Sequence, residues 1–232
     1  MKIPQSVTDQ DWKKAIPEQA GMVVGLSGGA DSIFCMLYLL FGEGLLTADS
    51  KAELKQTSPT GYRCFGYNAA FRGRGQEAKD DVEFLNQLCE EFSVPFHHEF
   101  FSDQEVEGIG NLEADLRTWR YGRMIQHARD RKLDAIAVGH HQDDVAESFL
   151  LMALRGSGPR GIGSLREVRE LSGNLKIVRP LLRFTREEIR SRLRALNIEW
   201  REDSMNADGL VRRNVLRHQV FPVLNQLESA TA

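Results

Sequence analysis

The segment from Val23 to Ser32, with the sequence VVGLSGGADS, constrains the fold of this 232-residue chain more than any other. An apolar run leads into a Ser-Gly-Gly turn, and the turn leads into a helical pattern of apolar residues. Glycines let a ligand approach the backbone closely, and the free amides at a helix N terminus attract anions. The pattern therefore predicts a strand, a turn and a helix that bind a triphosphate or a pyrophosphate. The predicted contacts are the amides and hydroxyls of Ser27, Gly28, Gly29, Ala30 and Ser32.

Asp31 lies inside this phosphate loop, where its negative charge would repel a bare phosphate. Its presence implies either a Mg²⁺ ion between the carboxylate and the nucleotide or a structural hydrogen bond to the amides of the loop. We favour the role in metal binding. The loop lacks the Gly-Lys-Ser/Thr ending of a Walker A motif, which disfavours the common fold that cleaves ATP between its β and γ phosphates.

Short apolar runs alternate with longer segments of helical periodicity, which is typical of an α/β fold with βαβ units around a parallel, Rossmann-like sheet. Apolar residues at helical spacing predict helices over Ala30–Phe41 and Glu77–Phe92. Between Gly42 and Gly61 the periodicity is lost, so we expect a long exposed connection. The predicted strands are Met22–Leu26, Cys64–Tyr67, Phe96–Phe101, Asp134–Val138 and Leu175–Val178.

The C-terminal part of the sequence is expected to be helical. Thr185 and Glu188 have the spacing of a capping box at the start of one helix, and a second helix is predicted from Val215 to Leu227. We therefore divide the chain into a nucleotide-binding catalytic part, residues 1–184, and an Arg-rich helical part, residues 185–232, that packs on the same domain.

Charge is distributed unevenly, although the formal net charge of the chain is only −3. Residues 151–232 contain 15 Lys and Arg against 9 Asp and Glu, whereas residues 1–150 carry a net charge of −9. The basic residues of this C-terminal third are almost all arginines, and a guanidinium group suits phosphate oxygens. A polyanionic partner is therefore expected there. The alternative is that these arginines pair with helix neighbours such as Glu187 and Glu188.

The three cysteines, Cys35, Cys64 and Cys89, are far apart and lack CxxC spacing. This predicts small buried residues and no disulfide framework, zinc site or iron–sulfur site. The longest apolar run near the start, Ile33 to Phe41, is too short to cross a bilayer and too far from Met1 for a signal peptide. We expect a soluble, cytoplasmic protein with no membrane partner.

A second block, from Ala137 to Leu150, runs from the end of an apolar strand into a helix and contains the sequence GHHQDDVAES. In a sheet of this kind the carboxyl ends of the strands form the ligand crevice. Asp144 and Glu147 are three residues apart and share a helix face, where they could hold a metal ion or an ammonium group. His140 and His141 lack a third metal ligand at a recognisable spacing, so we expect them to pack and form hydrogen bonds.

The SGGADS sequence resembles the SGGxDS signature of the ATP pyrophosphatase, or PP-loop, superfamily, whose members cleave ATP between its α and β phosphates. The second block, with its continuation through LRGSGPRG, resembles the tRNA(Ile)-lysidine synthetases within that superfamily. Upstream, Glu113–Tyr121 is similar to the EAxxRxxRY helix of the same family. The similar blocks downstream are Arg179–Leu182, Trp200, Asp203, Asn206 and Arg213–His218. The resemblance covers roughly residues 20 to 226.

This resemblance implies an enzyme that uses ATP and Mg²⁺ to join free lysine to the C2 carbon of a wobble cytidine in tRNA(Ile), through an adenylated base. The phosphate loop would hold the leaving pyrophosphate, and Asp31 with Asp144 would place Mg²⁺. Asp144 and Glu147 would hold magnesium or the incoming ammonium group. Arg117 and Arg120 would neutralise the charge that develops on the phosphate.

Two features depart from the pattern of that family. Where the family usually has VDHGLR or VNHxLR after the second strand, this chain reads YNAAFR, so that Ala69 replaces a histidine while Asn68 and Arg72 match. Asn68 is accordingly expected at the nucleotide. The sequence also resembles a short form without the C-terminal domains that help to hold tRNA. Contact with the tRNA is then expected from the Arg-rich C-terminal third.

Two other functions stay open at this level. A PP-loop sulfur transferase normally needs a reactive thiol, but Cys35 and Cys89 lie in apolar helical segments and Cys64 is far from the phosphate loop in sequence. The missing family histidine and the short form would also suit a non-catalytic module that binds ATP or RNA. The intact acidic residues of the two blocks argue against such a module.

Overall fold

The computed structural model describes residues 12–101, 112–156, 165–202 and 215–224. The helices, in chain order, are α1 Trp12–Ala15, α2 Ala30–Phe41, α3 Gly44–Thr47, α4 Lys51–Leu54, α5 Gln76–Glu91, α6 Leu112–Asp130, α7 Gln142–Leu154 and α8 Arg186–Ala195. The strands are β1 Gly21–Gly25, β2 Arg63–Phe71, β3 Phe96–Phe101, β4 Ala135–Ala137, β5 Val168–Glu170 and β6 Lys176–Val178. Three residues named in the sequence analysis for the family resemblance lie outside the described ranges, namely Asp203, Asn206 and Arg213.

The described strands form one sheet in the order β3-β2-β1-β4-β6-β5. Neighbouring strands from β3 through β6 are parallel, and β5 alone pairs antiparallel, along the outer edge of β6. The predicted α/β fold with a mostly parallel, Rossmann-like sheet is therefore confirmed. The sequence did not predict β5, because this three-residue edge strand is mostly exposed and leaves no apolar run.

Strand β1 is central and is buried on both faces, which explains its uninterrupted apolar sequence. Val24 contributes to the larger core, where α2, α5 and α8 cover one face of the sheet. Val23 contributes to a second core on the opposite face, together with residues of α6 such as Met124. The chain leaves β1 between β2 and β4, so the phosphate loop emerges at the middle of the carboxyl edge.

The segment from Gly42 to Gly61 is not the long exposed connection that the sequence predicts. It contains the short helices α3 and α4, and it buries Leu45 and Leu54 completely. The amide of Thr60 also donates to the carbonyl of Leu40. The prediction was wrong because two leucines nine residues apart leave no periodic signal, yet each fills a space in the core.

The C-terminal helical prediction is confirmed where the chain is described. The hydroxyl of Thr185 accepts a hydrogen bond from the Glu188 amide at 3.2 Å, and the Glu188 carboxylate accepts one from the Thr185 amide at 2.7 Å. This capping box starts α8, whose Ile189 and Leu193 join the core beneath α2. A π-helical turn at Leu216–Val220 falls within the second predicted helix. The division at residue 184 stays a prediction.

Within the described ranges, no helix is both long enough and apolar enough to span a membrane.

Candidate functional site

The phosphate loop is a tight turn that is stabilised by its own two serines. Gly28 has φ +87°, a value that side chains rarely allow, so glycine is required there. The Ser32 hydroxyl donates to the carbonyl of Gly29 at 2.9 Å and accepts from the amide of Ser27 at 3.2 Å. The Gly29 amide reaches the Ser27 hydroxyl at a long 3.3 Å. These contacts shape a turn whose amide groups can exchange weak internal acceptors for phosphate oxygens.

Asn68, predicted at the nucleotide, lies on β2 directly beside the phosphate loop. Its side-chain amide donates to the carbonyl of Leu26 at 2.6 Å, the last residue before the loop. Its Oδ1 atom is buried and has no hydrogen-bond partner among the described residues. A buried acceptor of this kind is costly unless a ligand or water satisfies it. Asn68 therefore supports the loop and leaves one acceptor for a donor group on a ligand.

Ala69, at the position of the family histidine, is on the opposite face of β2 from Asn68, because side chains alternate along a strand. It is partly buried and packs against a small cluster formed by Phe101 and Leu116. The strand continues to Phe71, beyond the predicted end at Tyr67, so both positions belong to regular β structure. The replacement of the family histidine by Ala69 therefore changes the face of the sheet that packs against α6.

His141 lies among three aspartates at the start of α7. Its ring nitrogens are 3.5 Å from Asp31, 3.3 Å from Asp143 and 3.6 Å from Asp144, and the ring is almost fully buried. Burial opposes the charged form, but the nearby carboxylates of Asp143, Asp31 and Asp144 outweigh it. Together they raise the pKa of His141 to about 10. The imidazolium therefore links the two acidic blocks that the sequence places more than 100 residues apart.

The three aspartates have different partners besides His141. Asp143 accepts from the amide of Arg186 at 2.8 Å, which ties α7 to the start of α8. Burial opposes the ionised form of Asp143, yet His141 and the Arg186 amide lower its pKa to about 2. Asp144 accepts from the amide of His141 at 3.0 Å. Asp143 thus links two helices, while Asp144 borders the phosphate loop.

Asp31 and Asp144 offer a donor set that fits Mg²⁺. The Oδ1 atom of Asp31 is buried without a hydrogen-bond partner among the described residues, so it can bind a cation. No group of three or more His, Cys, Asp or Glu side chains in the described ranges could enclose a metal ion alone. Magnesium typically uses one or two carboxylates together with substrate phosphates, and this arrangement meets that requirement.

A cluster of basic groups lies beside the acidic site, at the carboxyl ends of β4 and β6. Arg117 Nη2 is 3.4 Å from His140 Nε2, and Arg179 Nε is 3.3 Å from His140 Nδ1. A neutral imidazole can accept at only one nitrogen, so at most one of these contacts is a hydrogen bond. Arg179 also donates to the carbonyl of Arg166 at 2.7 Å. Among the described residues, neither Arg117 nor Arg179 forms an ion pair with a carboxylate.

Arg179 is 5% exposed, so its charge is buried. Burial, followed by the neighbouring charge of Arg117, lowers the pKa of Arg179 despite a favourable contact with Tyr121. A buried cation without a carboxylate partner is unfavourable, and it becomes favourable when an anion enters. The sequence singled out Arg179 only as one arginine of a family block, and it did not indicate the contact with His140.

The remaining predicted residues are distributed around these two clusters. Glu147 is 1% exposed and lies one turn after Asp144 on α7. Arg120 is exposed, and its Nε donates to the carbonyl of Leu116 on its own helix. Arg123, one turn further along α6, binds Glu99 at 2.6 Å and is not part of the cluster. The structure therefore places Arg117 beside the second block and gives Arg120 and Arg123 other surroundings.

The cysteines are buried and free, as predicted. Burial raises the pKa of Cys35 far above its usual range, and it raises the pKa of Cys64 and Cys89 to about 12. Since the thiolate is the reactive form, none of these thiols is activated as a nucleophile.

The sheet is mostly parallel, and a Ser-Gly-Gly phosphate loop follows its central strand, next to an acidic and a basic cluster. These features define a nucleotide-binding protein of the Rossmann-like class. The chain belongs to the PP-loop domain family, whose family model matches residues 4–224.

Curated relatives include tRNA(Ile)-lysidine synthases from three bacteria. The protein of Porphyromonas gingivalis is 34% identical over 208 residues, which cover 89% of this chain and 41% of that protein. The protein of Rhodopirellula baltica is 32% identical over 87% of this chain and 52% of its own length. The protein of Histophilus somni is 30% identical over 94% of this chain and 46% of its own length. The chain thus spans about half the length of these relatives.

Two solved structures share the fold. The U34-tRNA thiolase NcsA from Methanococcus maripaludis superimposes with a TM-score of 0.70 at 18% identity, covering 97% of this chain and 71% of that chain. The NMN synthetase from Francisella tularensis gives a TM-score of 0.51 at 10% identity, covering 92% and 84% of the two chains. At these identities the comparison establishes the fold alone.

Proposed function

We propose that the protein activates a wobble cytidine of tRNA(Ile) with ATP and then joins lysine to the C2 carbon of that base, releasing pyrophosphate and AMP. The observation that carries this proposal is the link from the phosphate loop through Asp31 and His141 to Asp144 at the second block. The similarity to curated tRNA(Ile)-lysidine synthases supports the choice of substrates.

The need for ATP follows from the chemistry of the base. The C2 oxygen of cytidine is a poor leaving group, so direct attack by an amine at C2 is slow. Transfer of an adenylyl group to that oxygen converts it into a good leaving group, with pyrophosphate released at the same step. The lysine ε-amine then attacks C2, the bond to oxygen breaks, and AMP leaves.

The phosphate loop would hold the β and γ phosphates of ATP through the amides that follow Ser27 and the Ser27 hydroxyl. Asp31 and Asp144 would hold Mg²⁺ together with phosphate oxygens, and the ion would supply charge neutralisation for the leaving pyrophosphate. Asn68, with its unsatisfied buried acceptor, would accept a hydrogen bond from the nucleotide.

The basic cluster would stabilise negative charge at the reacting centre. Arg117 and the buried Arg179 both flank His140, and no described carboxylate neutralises them. Preorganised cations in a partly dry site stabilise charge more effectively than they would in water. Arg120, which is exposed on the same helix, would act on the tRNA side of the crevice.

Asp144 and Glu147 would receive the ammonium group of lysine. They lie on one face of α7, and Glu147 is almost completely buried. A carboxylate near the ε-amine can hold the ammonium form and accept the proton that is lost when the amine attacks.

Contact with tRNA is proposed for the Arg-rich C-terminal third, but the structure narrows the set of arginines. Arg183 and Arg194 bind Glu43 and Glu187, and Arg190 binds Glu202, so these residues follow the alternative of intramolecular pairing. Arg155 is exposed at the end of α7 and is the better candidate for phosphate contact.

The decisive experiment is incorporation of labelled lysine into bulk bacterial tRNA by the purified chain with Mg-ATP, with Asp31→Ala as the inactive control. Label in tRNA(Ile) that depends on Asp31 would support the proposal. Release of AMP and pyrophosphate without labelled tRNA would indicate another PP-loop reaction. No nucleotide turnover with saturating ATP, lysine and tRNA would indicate a binding module.

A further inference from the structure

A short segment from Trp200 to Glu202 lies directly against the phosphate loop. The backbone amide of Arg201 donates to the carbonyl of Gly28 at 2.9 Å. The contact extends to both glycines of the turn. A Cβ added to Gly28 would lie 3.8 Å from the Cβ of Arg201. A Cβ added to Gly29 would lie 3.9 Å from the carbonyl oxygen of Arg201. Arg201 is therefore the outer wall of the loop.

This hydrogen bond fixes the orientation of the peptide group between Gly28 and Gly29. The peptide is trans, so its carbonyl and its N–H point in opposite directions. Because the carbonyl is held by Arg201, the Gly29 N–H must point away from that wall, where it reaches the Ser27 hydroxyl at 3.3 Å. Such a long contact with a neutral acceptor is easily replaced by a phosphate oxygen. Glycine at both positions would otherwise allow this peptide to rotate.

The side chain of Arg201 anchors the wall to α5. Its Nε is 2.7 Å from Oδ1 of Asp81, and Arg74 Nη1 is 3.0 Å from Oδ2 of the same carboxylate. Asp81 is only 6% exposed, so its carboxylate is largely shielded from solvent in both ion pairs. The neighbours of Arg201 hold the segment as well, since the Trp200 indole and Arg190 both bind the Glu202 carboxylate.

We propose that Arg201 is a positioning residue of the phosphate loop. Its backbone amide holds the Gly28–Gly29 peptide so that the Gly29 N–H points at pyrophosphate, and we call this contact the lock. The ion pair between Asp81 and Arg201 holds the lock in place, and we call it the anchor. The proposal rests on the proposed function, because pyrophosphate is the ligand that the loop would release. It adds two residues from distant parts of the chain to the phosphate site, and neither belongs to the loop motif.

The test is the affinity of the full chain for Mg-pyrophosphate and for Mg-ATP by isothermal titration calorimetry. Arg201→Ala removes the ion pair with Asp81 but keeps the amide, whereas Arg201→Pro removes both, because proline has no N–H. We expect Arg201→Ala to weaken pyrophosphate binding about threefold. Arg201→Pro should weaken it more than about tenfold, because the Gly29 N–H is then no longer held toward pyrophosphate and its charge-assisted hydrogen bond is lost. Equal affinities in these two variants would overturn the lock.

The anchor is tested separately with a matched pair on α5. Asp81→Asn is expected to weaken pyrophosphate binding about threefold to tenfold, and Asp81→Glu to recover part of the loss. Glu91→Gln, which removes an exposed ion pair with Lys51 and Lys55 on the same helix, should bind as the wild type does. Wild-type affinity in Asp81→Asn would contradict the anchor. This arm keeps the proposed role of Asp81 falsifiable even if Arg201→Pro does not fold.

The two proposals fail in different ways. A wild-type chain that binds pyrophosphate but transfers no lysine would refute the proposed function and leave the lock testable by the same titrations. A wild-type chain that binds neither pyrophosphate nor ATP would refute both.

Discussion

Gly139, at the end of β4, faces the carbonyl of Asp31 so closely that a Cβ at this position would lie 2.7 Å from the carbonyl oxygen. The Cβ added at Gly139 would also lie 3.1 Å from the amide nitrogen of Ser32. The backbones of the two sequence blocks are therefore in contact, and only a residue without a side chain fits between them. This contact sets the distance between the phosphate loop and the acidic start of α7.

Gly139→Ala should separate the two blocks and weaken ATP binding. The methyl group would push the backbone of Asp31 outward, because the nearby atoms belong to the main chain and cannot rotate away. We expect ATP affinity to fall at least about tenfold in a chain that is destabilised by about 1–3 kcal/mol. Calorimetric titration with Mg-ATP measures the affinity. Gly122→Ala on α6 is the matched control, since no atom of the described residues lies within 4 Å of its added Cβ. It should bind ATP normally.

Asp31→Asn and Ser32→Ala should stop turnover and leave the fold intact. Asp31→Asn removes the charge that would place Mg²⁺, and Ser32→Ala removes the hydroxyl that bonds Gly29 and Ser27. We expect AMP release to fall by about 10²-fold or more in both, as for other preorganised charge-stabilising groups. Asp49→Asn, an exposed change outside the site, should release AMP at the wild-type rate. Normal release by either site variant would remove the assignment of the phosphate loop.

His141→Gln should destabilise the protein by about 3 kcal/mol, because it leaves the carboxylates of Asp31, Asp143 and Asp144 close together without the cation between them. Urea unfolding at pH 7 measures the difference. His98→Gln, an exposed histidine on β3, should change the unfolding free energy by less than about 0.5 kcal/mol. An equal decrease in unfolding free energy in both variants would mean that the three contacts of His141 contribute little to stability.

Arg179→Met should separate function from stability. Methionine removes a buried charge that has no described carboxylate partner, and it keeps most of the side-chain volume, so the unfolding free energy should change by less than about 1.5 kcal/mol. Turnover should fall at least about tenfold, because the basic cluster loses its buried cation. Arg129→Met, which removes a surface contact with Ser172, should leave turnover unchanged. Full activity of Arg179→Met would exclude the basic cluster from the reaction.

Stability should fall between about pH 6.5 and pH 4 because of His127. Burial, followed by the charges of Arg131 and His97, lowers the pKa of His127 to about 4. The unfolded chain therefore binds the proton first as the pH falls, so stability is lost across this window and the loss ends below pH 4. The slope cannot exceed about 1.4 kcal/mol per pH unit. His127→Phe keeps a ring against Tyr67 and should show a flatter dependence in urea unfolding at pH 7 and pH 5. An unchanged slope would assign the effect to another group.

Much of the fold could be predicted because its signals are local. The apolar run of β1, the Ser-Gly-Gly turn and the amphipathic α2 are contiguous, and each residue type fits its place for a reason that its neighbours supply. The same holds for the capping box at Thr185. The Gly42–Gly61 segment and the edge strand β5 could not be predicted, because their buried or paired residues are too few to form a pattern.

The candidate site divides in the same way. The residues of the phosphate loop and of the second block were evident from spacing, and a strand order that joins β1 to both β2 and β4 brings the blocks together. His141 was expected to pack and to form hydrogen bonds. Its ion pairs with Asp31 and Asp144 depend on the approach of two strands that are distant in sequence.

The sequence by itself thus determined the parallel α/β architecture, the phosphate loop and the family, because those features depend on periodicity and on contiguous motifs. Only the tertiary structure decided which charges meet. Asp81 lies in a helix, Arg201 follows another, and Arg179 ends an inner strand, so no spacing relates them to the loop or to His140. Contacts across the sheet are set by how strands and helices pack, and the energy of a charge depends on burial and partners that exist only after folding.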